Sequence, residues 1–253
     1  MSDHVIVTKD GGRLSLKMNR PERRNAINVA MYAALADAIE DAASDDGARV
    51  ITLEGAGEDF TAGNELNDFL APQGDRAGGD IPVWRLLRGL ARNMVPIVAA
   101  VHGNAVGIGT TMLFHCDLVV AEEGSKFRMP FVDLGLVPEA ASSLLFPQMA
   151  GRRAAARHLL LGEPFGVDAA ERFGLVSHRA PAGALEATFE GVVASLLAKP
   201  VQALRMTQKL LRGADQDAVV ERMNLENGHF SERLTSDEVR EAITKFFAAR
   251  AAR

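Results

Sequence analysis

Glu139 stands in Leu134-Gly135-Leu136-Val137-Pro138-Glu139-Ala140-Ala141, one acid in apolar and small company where a helix can begin. Upstream, Val101-His102-Gly103-Asn104-Ala105-Val106-Gly107-Ile108-Gly109-Thr110-Thr111 turns an apolar strand through small residues into a helix. A glycine-rich turn that opens a helix leaves backbone N–H groups without internal partners, and these favour negative charge. A lone carboxylate facing such donors is what abstraction of a proton next to a carbonyl requires. The plainer alternatives are N-terminal helix charge for Glu139 and close helix packing for Gly107-Ile108-Gly109. The turn is not a dinucleotide fingerprint, because Gly103-Asn104-Ala105-Val106-Gly107 has the wrong spacing.

Other chemistry-bearing residues point to structure. His102 and His115 read as buried structural groups, with no second cluster to complete a metal site, so no metal is expected. Cys116 reads as core and Asp117 as a structural carboxylate at a helix-to-strand junction. One cysteine in 253 residues excludes an internal disulfide framework and fits a reducing compartment. A net charge of −5 without a long basic run argues against a nucleic-acid partner. No apolar run approaches the ~20 residues that span a bilayer. Met1-Ser2-Asp3-His4 lacks the blocks of a signal peptide, and Ala251-Ala252-Arg253 is not a peroxisomal address. The expectation is a cytoplasmic protein with ordinary globular composition, 47% hydrophobic and 24% charged.

The elements that must position these residues alternate. Val5-Ile6-Val7-Thr8 and Leu14 to Met18 about Gly11-Gly12 predict a hairpin. Asn28 is a suitable cap for a helix through Met31, Leu35, Ile39 and Ala42, and Val50 to Leu53 reads as a buried strand. Gly55 to Leu66 is a second small-residue turn leading into a short helix. Ala71 to Asp80 reads as the mobile segment, before a helix through Trp84, Leu87 and Leu90. Ile97 to Val101 and Leu118 to Ala121 are strands flanking a buried helix from Gly107 to Phe114. Beyond Glu139 the pattern is mostly helical, broken at Pro147, Gly151, Gly162 and Gly174, with a short strand around Leu175-Val176-Ser177. Three amphipathic helices are predicted after Pro181. The pattern implies an α/β core with a helical appendage.

Several stretches carry a family resemblance. They are Asn19-Arg20-Pro21 with Asn25-Ala26-Ile27-Asn28, then Phe60-Thr61-Ala62-Gly63-Asn64-Glu65-Leu66, then Gly103 to Gly109 with Cys116-Asp117. Phe127 with Leu134 to Pro138, and Ala169-Ala170-Glu171-Arg172-Phe173-Gly174-Leu175-Val176, complete the set. Over nearly its whole length the chain resembles the crotonase (enoyl-CoA hydratase/isomerase) superfamily. The resemblance implies a ClpP-like spiral of ββα units, with residues 1–195 as the core domain holding an acyl-CoA site. It implies that 196–253 form a helical region for oligomerisation, as a homotrimer or dimer of trimers, and for closing the CoA pocket. It further implies an acyl-CoA thioester substrate, no cofactor, and an oxyanion hole made by the amides of Asn64 and Ile108.

A hydratase of this family uses two glutamates, and those positions align with Thr111 and Phe131. Glu139 instead matches the single catalytic acid of the peroxisomal-type Δ3,Δ2-enoyl-CoA isomerases and similar bacterial isomerases. The resemblance therefore implies an isomerase in which Glu139 moves one proton from C2 to C4 of a 3-enoyl-CoA. Alternatives are a hydratase-like, dehalogenase-like or hydrolase-like acyl-CoA reaction, or an acyl-CoA-binding protein without turnover. An RNA-binding role would want a lysine-rich helix that is not present. For the CoA end the resemblance implies the backbone at Ala62 and one of Arg23 or Arg24, with Lys245 and Phe246 closing the adenine pocket from a neighbouring subunit. Leu66, Phe69, Trp84 and Phe131 are candidates for the acyl pocket, and Thr111 is a further candidate for substrate binding.

Overall fold

Residues 3–45, 47–70, 81–213 and 215–251 are described by a computed structural model. The segment 71–80 and the side chain of Phe69 lie outside the described residues. β1 (Val5–Asp10) and β2 (Arg13–Met18) form the hairpin, antiparallel from Val5 opposite Met18 to Asp10 opposite Arg13. Asn28 caps α1 (Val29–Ser44), its Oδ1 accepting from the Met31 amide at 2.9 Å. There follow β3 (Val50–Gly55), the short α2 (Leu66–Leu70), α3 (Pro82–Arg92), β4 (Ile97–Val101), β5 (Asn104–Val106) and α4 (Ile108–Thr111). A 3₁₀ turn over Met112–His115 continues α4 before β6 (Leu118–Glu122) and β7 (Lys126–Arg128).

The larger sheet has the order β1-β2-β3-β4-β6 and then β9 (His178–Ala180), parallel after the first pair. Parallel strands covered on both faces read as continuous apolar runs, which is the pattern of β3, β4 and β6. Their alternation feeds two cores. Ile51, Leu53, Ile97, Ala99, Val101, Val119 and Ala121 join the main one, with α1 and α3. Val50, Val98, Ala100 and Val120 face the other way, onto Phe189 and Val193 of the helix Leu185–Leu197. A smaller sheet runs β5-β7 and then β8 (Phe165–Gly166), and an isolated parallel bridge joins Thr61 to Ala105 beside it. Successive turns of the chain thus give one strand to the large sheet, one to the small sheet, and then a helix.

α5 (Ser142–Ala150), α6 (Arg152–Leu160) and α7 (Val167–Arg172) follow, and then α8 (Leu185–Leu197), α9 (Val201–Gly213), α10 (Gln216–Leu234) and α11 (Asp237–Ala251). The sequence reading differs at five places. The described residues hold four helices after Pro181, because Pro200 and the Thr235-Ser236 break each start a new one. Pro147 lies within α5, where it forgoes one backbone bond, that to the Ser143 carbonyl, without ending the helix. The last strand falls at His178–Ala180, since Ser177 is spent bonding the Val119 amide and carbonyl. Glu139 is not helical: α5 begins only at Ser142. Asp117 is structural as expected, its Oδ2 accepting from the Ile97 amide at 2.8 Å while Arg212 and Gln208 bond its carboxylate. His102 is only half-buried and bonds the Gly57 carbonyl at the surface. One apolar cluster runs from Val5 to Ile243, so buried residues of α10 and α11 share the main core.

Candidate active site

Three extended segments lie side by side and make the floor of the site. Residues 24–27 pair with 62–65: Ala62 N donates to Arg24 O at 2.8 Å, Ile27 N to Gly63 O at 2.8 Å, and Glu65 N to Ile27 O at 3.0 Å. Residue 61 pairs with β5: Thr61 N donates to Asn104 O at 3.0 Å and Val106 N to Thr61 O at 3.1 Å. The buried Asn25 ties the first two segments together, its Nδ2 donating to Ala56 O at 2.7 Å and Asp59 O at 2.8 Å. Gly107 N then donates to Arg128 O at 2.8 Å, anchoring the turn into α4.

This packing leaves two amides unspent. Among the described residues, neither the N–H of Asn64 nor that of Ile108 has a hydrogen-bond partner. Each follows a glycine at positive φ, Gly63 at 88° and Gly107 at 57°. The two turns touch: a Cβ on Gly63 would lie 2.5 Å from Val106 O, so only glycine permits the approach. Gly109 is held as tightly, its virtual Cβ 2.4 Å from Thr61 Cγ2. The result is two free donors on neighbouring turns, one of them the first residue of a helix.

Glu139 is built differently. Ala140 and Ala141, which follow it, both have left-handed backbones, at φ 59° and 55°. For non-glycine residues such conformations cost roughly 1–3 kcal/mol each and persist only when surroundings impose them. Two side chains do so. Glu226 of α10 accepts from Ala141 N at 2.6 Å and from Ser143 N at 2.9 Å, one bond to each oxygen. His115 Nε2 donates to Ala140 O at 2.8 Å. Burial holds His115 neutral, its pKa lowered to about 4, so it serves as a fixed donor. The Ser142 hydroxyl is buried at the same turn without a partner among the described residues. Strain and an unsatisfied hydroxyl gathered at one turn are marks of a functional site.

Glu139 is 1% exposed. Burial, and then the neighbouring charge of Glu226, raise its pKa to about 8, while the Thr111 hydroxyl, 3.4 Å away, pulls it down. A carboxylate titrating there is a usable base at neutral to mildly alkaline pH. Tyr32 of α1 is buried beside the same group: its hydroxyl donates to Asn64 Oδ1. Burial pushes the phenol pKa well up, and the charges of Glu139 and Asp68 add to it.

A cavity of about 1080 Å³ opens beside these turns. Of the residues singled out in the sequence, Asn64, Ala62, Arg23, Arg24, Leu66, Phe131, Lys245 and Phe246 line it. Both candidate arginines are at its rim, within 3.4 Å (Arg23) and 3.7 Å (Arg24) of Glu65 and Asp59. Lys245 and Phe246 reach it within a single chain, because α11 packs against the turn at Gly135, where a Cβ would lie 3.1 Å from Val239 N. Glu139, Ile108, Thr111 and Trp84 are not part of that wall. The first three are buried around the Glu139 turn and α4, and Trp84 packs edge-on against Phe230, which does line the cavity.

Sequence reasoning missed Glu226, Tyr32 and the role of His115. Glu226 left a signal: it continues the buried stripe Val219, Met223, Phe230 at helical spacing, and an acid there needs partners. Tyr32 left none, since an aromatic in an apolar helix reads as core. Among the described residues no group of three or more His, Cys, Asp or Glu converges as a metal would need, and no helix is long and apolar enough to cross a membrane.

Comparison with known proteins adds the following. The enoyl-CoA hydratase/isomerase family model matches residues 8–253. The 1,2-epoxyphenylacetyl-CoA isomerase of Escherichia coli is 31% identical over 255 residues, covering 99% of this chain and 97% of that protein. The enoyl-CoA delta isomerase 2 of Rattus norvegicus is 34% identical, covering 97% of this chain, which spans 63% of that longer protein. Among solved structures, an enoyl-CoA hydratase/isomerase from Pseudoalteromonas atlantica T6c superposes with a TM-score of 0.92 at 38% identity, covering 98% of each chain.

Proposed function

The chain belongs to the enoyl-CoA hydratase/isomerase family and has the crotonase fold, and from that premise we propose that it is a Δ3,Δ2-enoyl-CoA isomerase. As a crotonase-type acyl-CoA enzyme it acts on a thioester; the finer reading concerns which proton moves and what moves it. The thioester oxygen accepts from the N–H groups of Asn64 and Ile108. Glu139 takes a proton from C2 of a 3-enoyl-CoA, and the negative charge spreads into a dienolate whose oxygen the two amides hold. The same carboxylic acid returns the proton to C4, leaving the 2-trans-enoyl-CoA. No water is consumed and no cofactor is called for. The acyl chain enters past Leu66, Phe131 and Leu136, and the CoA phosphates lie toward Arg23 and Arg24.

The observation that supports this most is the buried Glu139 carboxyl, its pKa raised to about 8, bonded by Thr111 of the helix whose first amide is unspent. Hydration would need a second acid–base group, and Thr111 and Phe131 stand where the family's hydratases carry glutamates. Assembly as a homotrimer or dimer of trimers is part of the same proposal; α9 leaves Met206, Leu210 and Leu211 exposed, a face that light scattering can test for burial in an oligomer.

The test follows 3-cis- and 3-trans-hexenoyl-CoA by mass spectrometry in D2O with wild type and Glu139→Gln. Wild type should form the 2-trans isomer, with deuterium entering as the Glu139 acid exchanges with solvent before it returns its proton, and the variant should be slower by about 10²- to 10⁴-fold. The wild-type kcat/KM should rise with pH toward a plateau above about 8, since only the ionised carboxylate accepts the proton. Conversion that survives in Glu139→Gln would remove this residue from the mechanism.

A further inference from the structure

The free donors at the start of α5 do not serve the Glu139 carboxyl; the Ser142 amide donates to the Glu139 backbone carbonyl at 3.0 Å. Those of Ala141 and Ser143 are taken by a carboxylate from the far end of the chain. Glu226 lies on the buried face of α10, and each of its oxygens accepts from one amide of the Ala141–Ser143 turn. Burial raises the Glu226 pKa, and the bonds from Ser143 and Ala141 act against that; accepting through both oxygens is the pattern of an ionised carboxylate, which is acceptor-only. Successive amides in such a turn form a natural cradle for negative charge. Because Glu226 fills it, Glu139 is denied the helix terminus and instead has a second negative charge for a neighbour.

We propose that Glu226 is a positioning residue for Glu139: α10 uses it to hold the strained turn that carries the base and to keep that base strong. The inference rests on the reading of Glu139 as the proton-transferring group. The other groups facing Glu139 do not supply this charge. Thr111 on α4 is a neutral donor, Tyr32 on α1 stays protonated because its pKa is raised, and His115 is neutral because its pKa is lowered to about 4. Asp68 on α2 acts on Tyr32. Arg222 on α10 bonds Ser143 Oγ at 3.4 Å, and its charge lowers the Glu226 pKa and so favours the ionised form of that acid. Removing the Glu226 charge therefore lowers the Glu139 pKa and weakens the base at saturating pH.

The experiment titrates the Glu139 side-chain carboxyl by ¹³C NMR in uniformly glutamate-labelled protein, its resonance identified by its absence in Glu139→Gln. In Glu226→Gln the midpoint should fall by about one unit or more, roughly tenfold in acidity. The acid limb of kcat/KM against pH should move down with it, with the plateau reduced. Glu226→Asp keeps the charge but withdraws it by one methylene; its midpoint should stay within about half a unit of wild type while kcat falls about tenfold. An unmoved midpoint in Glu226→Gln, or a uniform loss of activity with the limb in place, would overturn the proposal. So would full kcat in Glu226→Asp, which remains decisive if the glutamine variant does not fold. If wild type turns over no 3-enoyl thioester yet the midpoint still falls, the isomerase reading fails and the coupling of the two carboxyls stands.

Discussion

The turns at Asn64 and Ile108 and the turn at Glu139 adjoin the same site but are held by opposite means. The first two are held by backbone: ladder bonds from residues 24–27, 61–65 and 104–106, with glycines where the chains touch. Their two free amides are left over by a packing that satisfies nearly everything around them. The third is held by side chains from distant elements, His115 and Glu226, and it keeps alanines where the backbone conformation favours glycine. A backbone-built donor pair has fixed geometry and no charge of its own to tune. A side-chain-built mount lets neighbours set both the position and the proton affinity of the base. The division suits a chemistry in which the oxyanion must be met by rigid dipoles while the base must give its proton back.

If the backbone side is rigid for the reason given, its glycines are the most sensitive positions. Gly63→Ala would drive a methyl into the Val106 carbonyl and push the two turns apart. Turnover of the hexenoyl thioester should fall by about 10²- to 10³-fold, the cost of one misplaced oxyanion donor. Gly124→Ala is the control: its φ is also positive, at 91°, but its virtual Cβ meets nothing within 4 Å. That variant should lose about 1 kcal/mol of stability in urea and keep its activity. Equal losses of activity in both would show that φ strain, and not the contact between turns, limits the site.

The same division explains what could be read from the sequence. Gly63-Asn64 and Gly107-Ile108-Gly109 are local signatures, since glycine before a helix start implies a sharp turn with free amides whatever surrounds it. β3, β4 and β6 were legible as apolar runs because both faces are covered. Glu139 was legible as a lone acid, but not its mount. The sequence reading put it at a helix start, and nothing in Pro138-Glu139-Ala140-Ala141 announces two left-handed alanines. That conformation is imposed by Glu226 and His115, which neither periodicity nor spacing connects to residue 139. Pro147 misled for the same reason: a local helix breaker was overridden by the packing of Phe146 into a cluster with Phe114, Phe165 and Phe173.

The side-chain-built half predicts a pH-dependent stability that the backbone-built half lacks. The Glu139 pKa is raised from 4.5 to about 8 in the folded protein, so folding favours the protonated acid. Its contribution is complete below about 4.5 and is lost as pH rises toward 8 and beyond. Between pH 5 and 9 the loss should be on the order of 3–5 kcal/mol. Glu139→Gln, neutral at every pH, should flatten this slope, so that in urea denaturation the variant is the more stable protein at pH 9. Parallel slopes for the two proteins would mean that Glu139 gains solvent contact in solution.

Ala141→Gly probes the strain itself and reverses the logic of Gly63→Ala. Glycine relieves the cost of φ 55° but adds freedom to the unfolded chain, so stability should change by less than about 1 kcal/mol. Activity should fall about tenfold or less, because Glu226 and His115 still hold the turn. A collapse of activity would show that the alanine methyl, and not the two side chains, fixes the mount.

The smallest effect belongs to Thr111. Its hydroxyl lies 3.4 Å from Glu139 Oε1, at the long edge of hydrogen bonding, and it is the one contact that lowers the pKa of the base. Thr111→Val keeps the shape and removes the donor, so the acid limb of kcat/KM should move up by less than about one unit. This is opposite in sign to Glu226→Gln. Two neighbours of one carboxyl, pulling its proton affinity in opposite directions, would place its pKa by balance, not by burial alone. If Thr111→Val moves the limb down, the hydroxyl accepts from a protonated Glu139, and the group is a resting acid whose first act is to give a proton.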